Sequence, residues 1–359
     1  MIAIATAGVL ALLGALFGTR IAIGVFSRRG LGQPFRDGTP DSHQIKRGTP
    51  TMGGLVIILA VDLAYLLAKL ITLETPSLSA WLVLFLINGL AVVGFLDDWL
   101  KVTRQHSRGL PGWFKIFGQV LIGGLFAVAA LNFPDARGVP PASPYISFLR
   151  DVPPQLPVAV AVIWILLMIV GASNGVNLTD GLDGLAAGAC AMIFGAYALI
   201  NIWQYNQSCA RFASAGPNCY EVRDPYDLAA VALAISGACF GFLWWNAKPA
   251  KIIMGDTGAL SLGGAMAAFA VFTRTELLLI LIGGLMVIEV GSLVLQTSYF
   301  KATRRLTGTP KRLFKNSPLH NHFEMVGWGE VTIVMRFWII AGLCVAAGLG
   351  LFYAEWLVG

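Results

Sequence analysis

Ten apolar stretches, each 17 to 25 residues long, constrain the fold of this 359-residue chain more than any other feature. A helix that crosses the hydrocarbon core of a bilayer needs roughly 20 apolar residues. The stretches cover residues 2–26, 52–73, 79–97, 115–132, 157–175, 184–203, 228–246, 257–273, 277–298 and 333–354. The sequence therefore predicts an all-α, polytopic integral membrane protein with about ten transmembrane helices, in a single domain over residues 1–359.

The composition agrees with a membrane location. Charged residues make up 12% of the chain and hydrophobic residues 57%, whereas about 25% of a soluble domain is charged. The 41 glycines suit close packing between helices in lipid. No basic segment precedes the first stretch, and it is too long for the core of a signal peptide, so we expect it to be retained as a span.

Lys and Arg are divided unevenly between the two sets of loops. The loops that follow odd-numbered stretches, together with their flanks, hold 17 of these residues, and the opposite loops hold 5. Because cytoplasmic loops of membrane proteins are enriched in Lys and Arg, the odd loops are predicted to face the cytoplasm. Ten spans then place both termini outside. The net charge of +6 follows from this distribution and does not indicate a nucleic-acid partner.

The five cysteines divide by location in the same topology. Cys190, Cys239 and Cys344 lie inside apolar stretches, where they are expected to pack. Cys209 and Cys219 fall in one outside loop, in a compartment that permits disulfides. Either a bridge between these two cysteines or two unpaired thiols fits the sequence.

Acidic residues gather at the predicted cytoplasmic ends of the spans. Asp97 and Asp98 end the third stretch. Adjacent carboxylates repel, so the pair indicates a nearby cation or a role as a base, with a solvated helix end as the alternative. Asn177, Asp180 and Asp183 recur every three residues, which on a helix is one face. Such a stripe suits a hard cation or a nucleotide; the alternative is a capped helix start.

Three more polar segments lie on the same predicted side. Asp256, within Met-Gly-Asp-Thr-Gly, opens the eighth stretch as an N-cap or as a functional acid. His320 and His322 lie two apart in a basic loop without a nearby Cys or third His, which disfavours zinc. Phosphate contact, substrate positioning or a plain surface loop remain for them. The loop 43–54, with Lys46, suits a lipid phosphate or ordinary anchoring at the membrane surface.

Carboxylates, cations and hydroxyl groups on one surface are the elements of a phosphoryl-transfer site. At this point four motifs resemble those of the phospho-N-acetylmuramoyl-pentapeptide transferases, the translocase I family within the polyprenyl-phosphate sugar-phosphate transferases. The motifs are Thr49–Gly54, Asp97-Asp98, Asn177–Gly184 and Met254–Asp256. The resemblance extends over essentially the whole chain, and the segments 49–54 and 318–324 point to the muramoyl branch of the superfamily.

The resemblance implies ten transmembrane helices in a bacterial inner membrane, with outside termini and a cytoplasmic active site. It implies transfer of phospho-MurNAc-pentapeptide from UDP-MurNAc-pentapeptide to undecaprenyl phosphate, which gives lipid I and UMP in peptidoglycan synthesis and requires Mg²⁺. The implied partners are these two substrates and the lipid bilayer. A homodimer is an expectation from the family alone.

Individual residues carry over by their match to the motifs. Asp97, Asp98 and Asp256 match the catalytic acids, with Asp256 as the Mg²⁺ ligand. Polar positions that line the nucleotide and diphosphate site are matched by Lys46, Thr51, Lys101, Lys115, Asn177, Asp180 and Asp183, and the family's His loop is matched by His320, Asn321 and His322.

Two positions depart from the family pattern. Asn321 stands where the family usually has the middle of three consecutive His residues, so any role that needs an imidazole there is in doubt. Ile253 stands where a Phe commonly precedes Met-Gly-Asp. An aliphatic contact with uracil would replace ring stacking at this position.

The residue types leave two mechanisms open. The lipid phosphate attacks the nucleotide-sugar directly, with Lys46 or a nearby cation holding it, or an aspartyl-phosphate forms first. Asp97 or Asp98 either keeps the lipid phosphate dianionic or orders the site. Gly283, Gly284 and Gly291 in the ninth stretch suggest a bend beside an apolar channel for the polyprenyl tail, although glycines also serve plain packing.

Two other functions compete with this reading. A related enzyme that uses UDP-GlcNAc would share the acidic motifs. A transporter would place ionisable residues near the middle of the bilayer; here only Asp62 and Glu289 lie well inside spans, and no inverted repeat is evident. The position of the acids at one membrane surface favours the enzyme.

Overall fold

The computed structural model describes residues 1–32, 48–104, 109–210 and 219–358, which form twelve helices and one short hairpin. The helices are α1 (Ile2–Arg28), α2 (Gly54–Thr72), α3 (Leu78–Thr103), α4 (Gly112–Asn132), α5 (Val158–Thr179), α6 (Leu185–Asn206), α7 (Pro225–Asn246), α8 (Gly255–Phe272), α9 (Leu279–Ile282), α10 (Gly284–Thr307), α11 (Leu319–Val326) and α12 (Glu330–Val358). The antiparallel hairpin pairs β1 (Ile146–Ser147) with β2 (Asp151–Val152), with Ser147 opposite Asp151.

Nine helices in the described part of the chain are long and apolar enough to cross a membrane, namely α1 to α8 and α12. They correspond to nine of the ten predicted stretches, so the all-α polytopic fold is confirmed. The remaining stretch, predicted over 277–298, is not one helix. It is divided between α9 and α10, and α10 runs on to Thr307 through a less apolar sequence.

The division between α9 and α10 lies inside the helical bundle. A Cβ built on Gly284 would lie 2.6 Å from the Sγ atom of Cys344, a residue near the middle of α12. α10 therefore starts about halfway along the bundle, and its 24 residues extend about 36 Å. The helix is interrupted at Gly283, next to Gly284, whereas Gly291 lies within the continuous α10.

The centre of the bundle is α8. Of its most apolar 18 residues 94% are buried, against 22% for the corresponding part of α12. Glycines allow the neighbouring backbones to approach it: a Cβ built on Gly54 of α2 would lie 2.1 Å from the nitrogen of Gly258, and one on Gly94 of α3 would lie 2.3 Å from the carbonyl oxygen of Asp256. Because lipid offers little hydrophobic drive between helices, such close contact supplies their association.

Both termini lie at the same end of the bundle. The amine of Met1 donates a hydrogen bond to the hydroxyl of Tyr226 at the start of α7. Near the other terminus, Glu355 pairs with Arg150 beside the hairpin. Asp97 and Asp98 are about 20 residues along α3 from this end, so they lie roughly 30 Å away, at the opposite end.

A disulfide joins Cys209 to Cys219 at the end that holds the termini, which decides between the two alternatives the sequence left open. The other three cysteines are unpaired: Cys190 and Cys239 are buried and Cys344 is partly buried, as expected for residues that pack between helices.

Candidate active site

Three aspartates meet where the end of α3 crosses the start of α8. Asp97 and Asp98 lie in the last turns of α3, and Asp256 lies in the first turn of α8. Gly94, one turn before Asp98, has no side chain to keep α8 away. Each aspartate offers one carboxylate oxygen to a group whose atoms all lie within 4.8 Å of one another. This group could hold a metal ion.

Two lysines neutralise much of this acidic cluster. The Nζ atom of Lys101 lies 2.5 Å from Asp97 and 3.1 Å from Asp256. The Nζ atom of Lys115, from the first turn of α4, lies 3.0 Å from Asp97 and 2.5 Å from Asp256. The carboxylates are buried, but the lysine side chains are 25% and 21% exposed, so the ammonium groups form the accessible edge of the cluster.

Asp98 caps the start of α8 from a different helix. Its Oδ1 atom accepts a hydrogen bond from the backbone nitrogen of Asp256, and its Oδ2 atom accepts from the nitrogen and the hydroxyl of Thr257. The first nitrogens of a helix have no partner within it and favour a negative charge. The sequence left an N-cap role open for Asp256, but Asp98 performs it, and the carboxylate of Asp256 faces the lysines instead.

Asp97 has a second support from the segment between α3 and α4. Its Oδ1 atom accepts a hydrogen bond of 2.7 Å from the nitrogen of Leu110. A Cβ on Gly109 would lie 2.3 Å from the same carboxylate, so this position needs a residue without a side chain. The pair of acids therefore has divided contacts: Asp98 holds α8, and Asp97 faces Lys101 and Lys115.

The Thr-Pro-Thr-Met-Gly-Gly segment lies directly against the Met-Gly-Asp segment. The nitrogen of Ile253 donates to the carbonyl of Pro50, and the nitrogens of Gly53 and Gly54 donate to the carbonyls of Ile253 and Met254. Thr51 is buried here, and a Cβ on Gly255 would lie 3.1 Å from its hydroxyl oxygen. Thr51 thus belongs to the border of the acidic cluster. Lys46, predicted to bind substrate, lies outside the described residues.

The prediction that Asn177, Asp180 and Asp183 share one helix face is wrong. α5 ends at Thr179, and residues 180–184 form a turn in which Gly184 has a φ of +81°. Only Asn177 is helical. Gly184, directly before α6, adopts a left-handed conformation that other residues adopt only with strain.

Asp183 is turned towards the protein. Its Oδ2 atom accepts a hydrogen bond from the nitrogen of Ala250 and lies 4.0 Å from Lys248, and its own nitrogen donates to Glu330. Lys248 also pairs with Glu330. These contacts join the turn after α5, the loop before α8 and the start of α12.

The His loop forms the short helix α11. His320 is buried, with its Nδ1 atom 3.1 Å from a carboxylate oxygen of Glu289. His322 is nearer the surface, where its Nδ1 atom accepts a hydrogen bond from the nitrogen of Lys315. Asn321, between them, is partly exposed. The segment therefore separates a buried imidazole from a more accessible one.

Sequence reasoning missed several residues that organise the site. Thr257, Glu330 and Lys248 hold charged groups of the candidate site, and Glu289 binds His320. A signal existed for Thr257, which follows Asp256 directly, and for Glu289, which is an acid inside an apolar stretch. No spacing in the sequence connects Glu330 with Asp183, 147 residues earlier.

Known proteins share this sequence over nearly its whole length. The model described as glycosyl transferase family 4 matches residues 80–274, and phospho-N-acetylmuramoyl-pentapeptide-transferase signature 1 matches residues 46–58. The phospho-N-acetylmuramoyl-pentapeptide-transferase of Cutibacterium acnes is 57% identical over 98% of both chains. The proteins of the same name from Nocardioides sp. and Streptomyces avermitilis are 58% identical over 100% and 54% identical over 97% of both chains, respectively.

Proposed function

The chain belongs to glycosyl transferase family 4 and, within it, to the phospho-N-acetylmuramoyl-pentapeptide transferases, and from this premise we propose that it makes lipid I. It transfers phospho-MurNAc-pentapeptide from UDP-MurNAc-pentapeptide to undecaprenyl phosphate and releases UMP. The whole chain acts as one multi-pass transferase domain in a bacterial inner membrane. The active site faces the cytoplasm, on the side where Lys and Arg are concentrated.

The cluster of Asp97, Asp98, Asp256, Lys101 and Lys115 is the observation that carries this proposal. Three carboxylates and two ammonium groups leave one net negative charge, which favours the binding of a cation. Asp256 suits a metal ligand best, because its oxygens contact lysine side chains, whereas those of Asp98 are committed to the backbone and hydroxyl of α8.

Oxygen ligands of this kind favour Mg²⁺, which Asp256, with Asp97 beside it, would hold. When bound, the ion neutralises charge on the diphosphate of the nucleotide-sugar. The residues of the chain do the rest. Lys101 and Lys115 are the exposed cations of the cluster and would bind diphosphate oxygens. Lys46 would hold the lipid phosphate.

We propose direct attack of the lipid phosphate on the nucleotide-sugar. An oxygen of the lipid phosphate forms a bond to the sugar-bearing phosphorus, the bond from that phosphorus to the bridging oxygen breaks, and UMP leaves with the electron pair. One diphosphate linkage replaces another, so alignment and charge neutralisation are the main tasks of the protein. Asp97 keeps the lipid phosphate dianionic, and Asp98 keeps α8 and Asp256 in place.

The two competing functions find less support. Asp62 accepts a hydrogen bond from Asn88, and Glu289 contacts His320, so both interior carboxylates have partners within the bundle. That is what a packed helix interface needs, and it removes the main reason for a transporter. The relatives named above carry the muramoyl name, which disfavours UDP-GlcNAc as the donor. A homodimer is part of the proposal on family grounds alone.

Release of UMP tests the proposal. Purified protein in detergent, with Mg²⁺, UDP-MurNAc-pentapeptide and undecaprenyl phosphate, should release UMP only when the lipid is present. Asp256→Asn should lower the rate by about 100-fold or more, because it removes charge stabilisation from the reacting centre. Asp135→Asn, at the opposite end of the bundle, is the matched control and should keep the wild-type rate.

Two outcomes would change the assignment. No lipid-dependent release from folded wild-type protein would overturn the transferase. Turnover of UDP-GlcNAc without turnover of the muramoyl nucleotide would move the chain to the other branch. A labelled phospho-enzyme that is lost in Asp97→Asn would refute direct attack.

A further inference from the structure

α10 presents three polar side chains at a spacing of seven residues: Glu289, Gln296 and Thr303. Seven residues are close to two turns of an α-helix, so these side chains lie along one face. Their partners lie between Lys311 and His320, the segment that returns along α10 and leads into α11. The face therefore forms a ladder of contacts along the returning chain.

Thr303 and Gln296 bind the backbone of the returning segment. The hydroxyl oxygen of Thr303 accepts a hydrogen bond from the nitrogen of Lys311. The Oε1 atom of Gln296 accepts from the nitrogens of Leu313 and Phe314, and its Nε2 atom donates to the carbonyl of Phe314. Gln296 is buried, so these bonds are sheltered from competing water.

Glu289, the third residue of the polar face, contacts the side chain of His320 and not a backbone group. Glu289 is fully buried and His320 is 2% exposed, and the Nδ1 atom of His320 lies 3.1 Å from the Oε2 atom of Glu289. The other carboxylate oxygen of Glu289 has no hydrogen-bond partner among the described residues. Since a buried carboxylate without a partner is costly, the contact with His320 is needed to keep Glu289 inside the bundle.

The opposite edge of the imidazole faces the turn that follows α5. A Cβ built on Gly181 would lie 2.3 Å from the Nε2 atom of His320 and 2.8 Å from its Cε1 atom. Gly181 separates Asp180 from Leu182 in this turn. The imidazole is thus enclosed between an acid of α10 and the backbone beside Asp180.

We propose that Glu289 is a positioning residue for the transfer reaction: it fixes the orientation of His320, and His320 in turn supports the turn 180–184. Asp180 and Asp183 of this turn match positions that line the family's nucleotide and diphosphate site, so we place the nucleotide end of the donor against it. A carboxylate that accepts a hydrogen bond from Nδ1–H determines which tautomer the ring adopts and which edge faces outward. The Nε2 edge of the ring lies against Gly181, so His320 acts on the turn through this contact. This inference rests on the proposed function.

The inference predicts an effect on one substrate only. Glu289→Leu should raise the KM for the nucleotide-sugar about tenfold or more, since displacement of a positioning element weakens alignment by this order. The KM for undecaprenyl phosphate should change less than twofold. Glu289→Gln keeps an acceptor oxygen for the Nδ1 proton and should recover most of the loss.

A double substitution tests whether the pair acts as a unit. Glu289→Leu combined with His320→Leu should cost no more than the worse single variant, because both remove the same contact. Leu295→Ala, on the exposed side of α10, is the control and should leave both KM values unchanged.

Hydrogen exchange gives a readout that does not depend on turnover. Amides of residues 319–326 and 180–184 should exchange faster in Glu289→Leu than in the wild type, while those of α3 and α8 should not. If wild-type protein releases no UMP, the proposed function fails, and exchange together with UMP binding still tests the ladder. Two results would overturn the inference. Turnover could fall equally for both substrates, in proportion to the unfolded fraction of the variant, or amide exchange could stay unchanged in both segments.

Discussion

At the scale of single residues, the same functional group does different work according to its partners. Asp98 and Asp256 are both buried carboxylates, and they meet where α3 crosses α8. Asp98 accepts three hydrogen bonds from the start of α8, which holds it as part of the scaffold. Asp256 contacts two lysines that reach the surface of the cluster. We therefore propose the reactive role for Asp256, with Asp97 beside it.

Gly255 is the residue on which this arrangement is most sensitive. It has a φ of +76°, and a Cβ there would lie 2.5 Å from the Oδ2 atom of Asp98. Gly255→Ala should therefore lower the rate of UMP release at least tenfold, because the added methyl group displaces Asp98. The backbone strain of about 1–2 kcal/mol lowers the stability of the protein and does not by itself explain the loss of rate. Gly30→Ala carries the same strain at a φ of +65° in open space and should keep its activity. Equal activity in the two variants would contradict this account.

Glu276 is a residue whose proton makes stability depend on pH. Burial raises the pKa of this carboxyl to about 7, partly offset by the hydrogen bond that it accepts from the nitrogen of Ser147. Between about pH 4.5 and pH 7 the unfolded group has lost its proton and the folded group has kept it, so stability falls as pH rises through this window.

Glu276 contributes one part of this slope, and a single substitution can remove that part. The melting temperature in detergent, measured from pH 4.5 to pH 7.5, should decline less steeply in Glu276→Gln than in the wild type. Asp135→Asn, at a partly exposed acid in a nearby loop, should leave the slope within the window unchanged. Identical slopes in Glu276→Gln and the wild type would remove Glu276 as the cause.

At the scale of elements, α8 and α10 decide the geometry of the site in different ways. α8 lies at the centre and brings Asp256 against α3 through close backbone contact at Gly94. α10 starts inside the bundle and extends beyond the apolar part, where its polar face receives the segment that contains His320. α8 is packed on all sides by other helices, whereas α10 binds the segment 311–320 along its polar face.

The crossing of α8 and α5 tolerates no added methyl group. A Cβ on Gly263 would lie 2.4 Å from the carbonyl oxygen of Ala172, and backbone cannot move aside as a side chain can. Gly263→Ala should destabilise the fold by about 1–3 kcal/mol through overpacking, seen as a lower melting temperature in detergent. Gly124→Ala, with nothing within 4 Å, should leave the melting temperature unchanged or raise it. A lower value for both variants to the same extent would contradict the packing argument.

At the scale of the whole molecule, the two ends of the bundle differ in their chemical groups. One end holds the acidic cluster and its lysines. The other holds both termini, the hairpin and the disulfide between Cys209 and Cys219. A disulfide persists in an oxidising compartment, which agrees with the orientation that the Lys and Arg distribution predicts. In the proposed function, the donor nucleotide and the lipid phosphate meet at the end that this orientation places in the cytoplasm.

Labelling of single thiols in whole cells tests this orientation. In Cys209→Ser the thiol of Cys219 should react with a membrane-impermeant maleimide from outside. Lys301→Cys, placed in the Cys209→Ser/Cys219→Ser background, should react only after the membrane is permeabilised. The double-serine variant without it gives the background from the three cysteines within spans. The reverse pattern would show that the acidic cluster faces outside.

The sequence alone determined the class of fold, the positions of nine spans and the segments that carry polar chemistry. These are local properties: a run of apolar residues predicts a span by its length, whatever surrounds it. Local reasoning failed where a neighbour far along the chain decides the outcome. Asn177, Asp180 and Asp183 do not share a helix face because α5 ends at Thr179, and the predicted span over 277–298 is divided at Gly283.

Only the tertiary structure decided which charges meet. Asp98 rather than Asp256 caps α8, 158 residues away in sequence, because the glycine at position 94 lets the two backbones approach. Lys115 reaches Asp256 over 141 residues, and Glu330 reaches Asp183 over 147. Electrostatic contact depends on distance in space, and the hydropathy that places each helix in the membrane does not specify which helices become neighbours. The side chains of the candidate site can therefore be predicted from the sequence, whereas their proposed division into scaffold and reacting groups depends on how the helices pack.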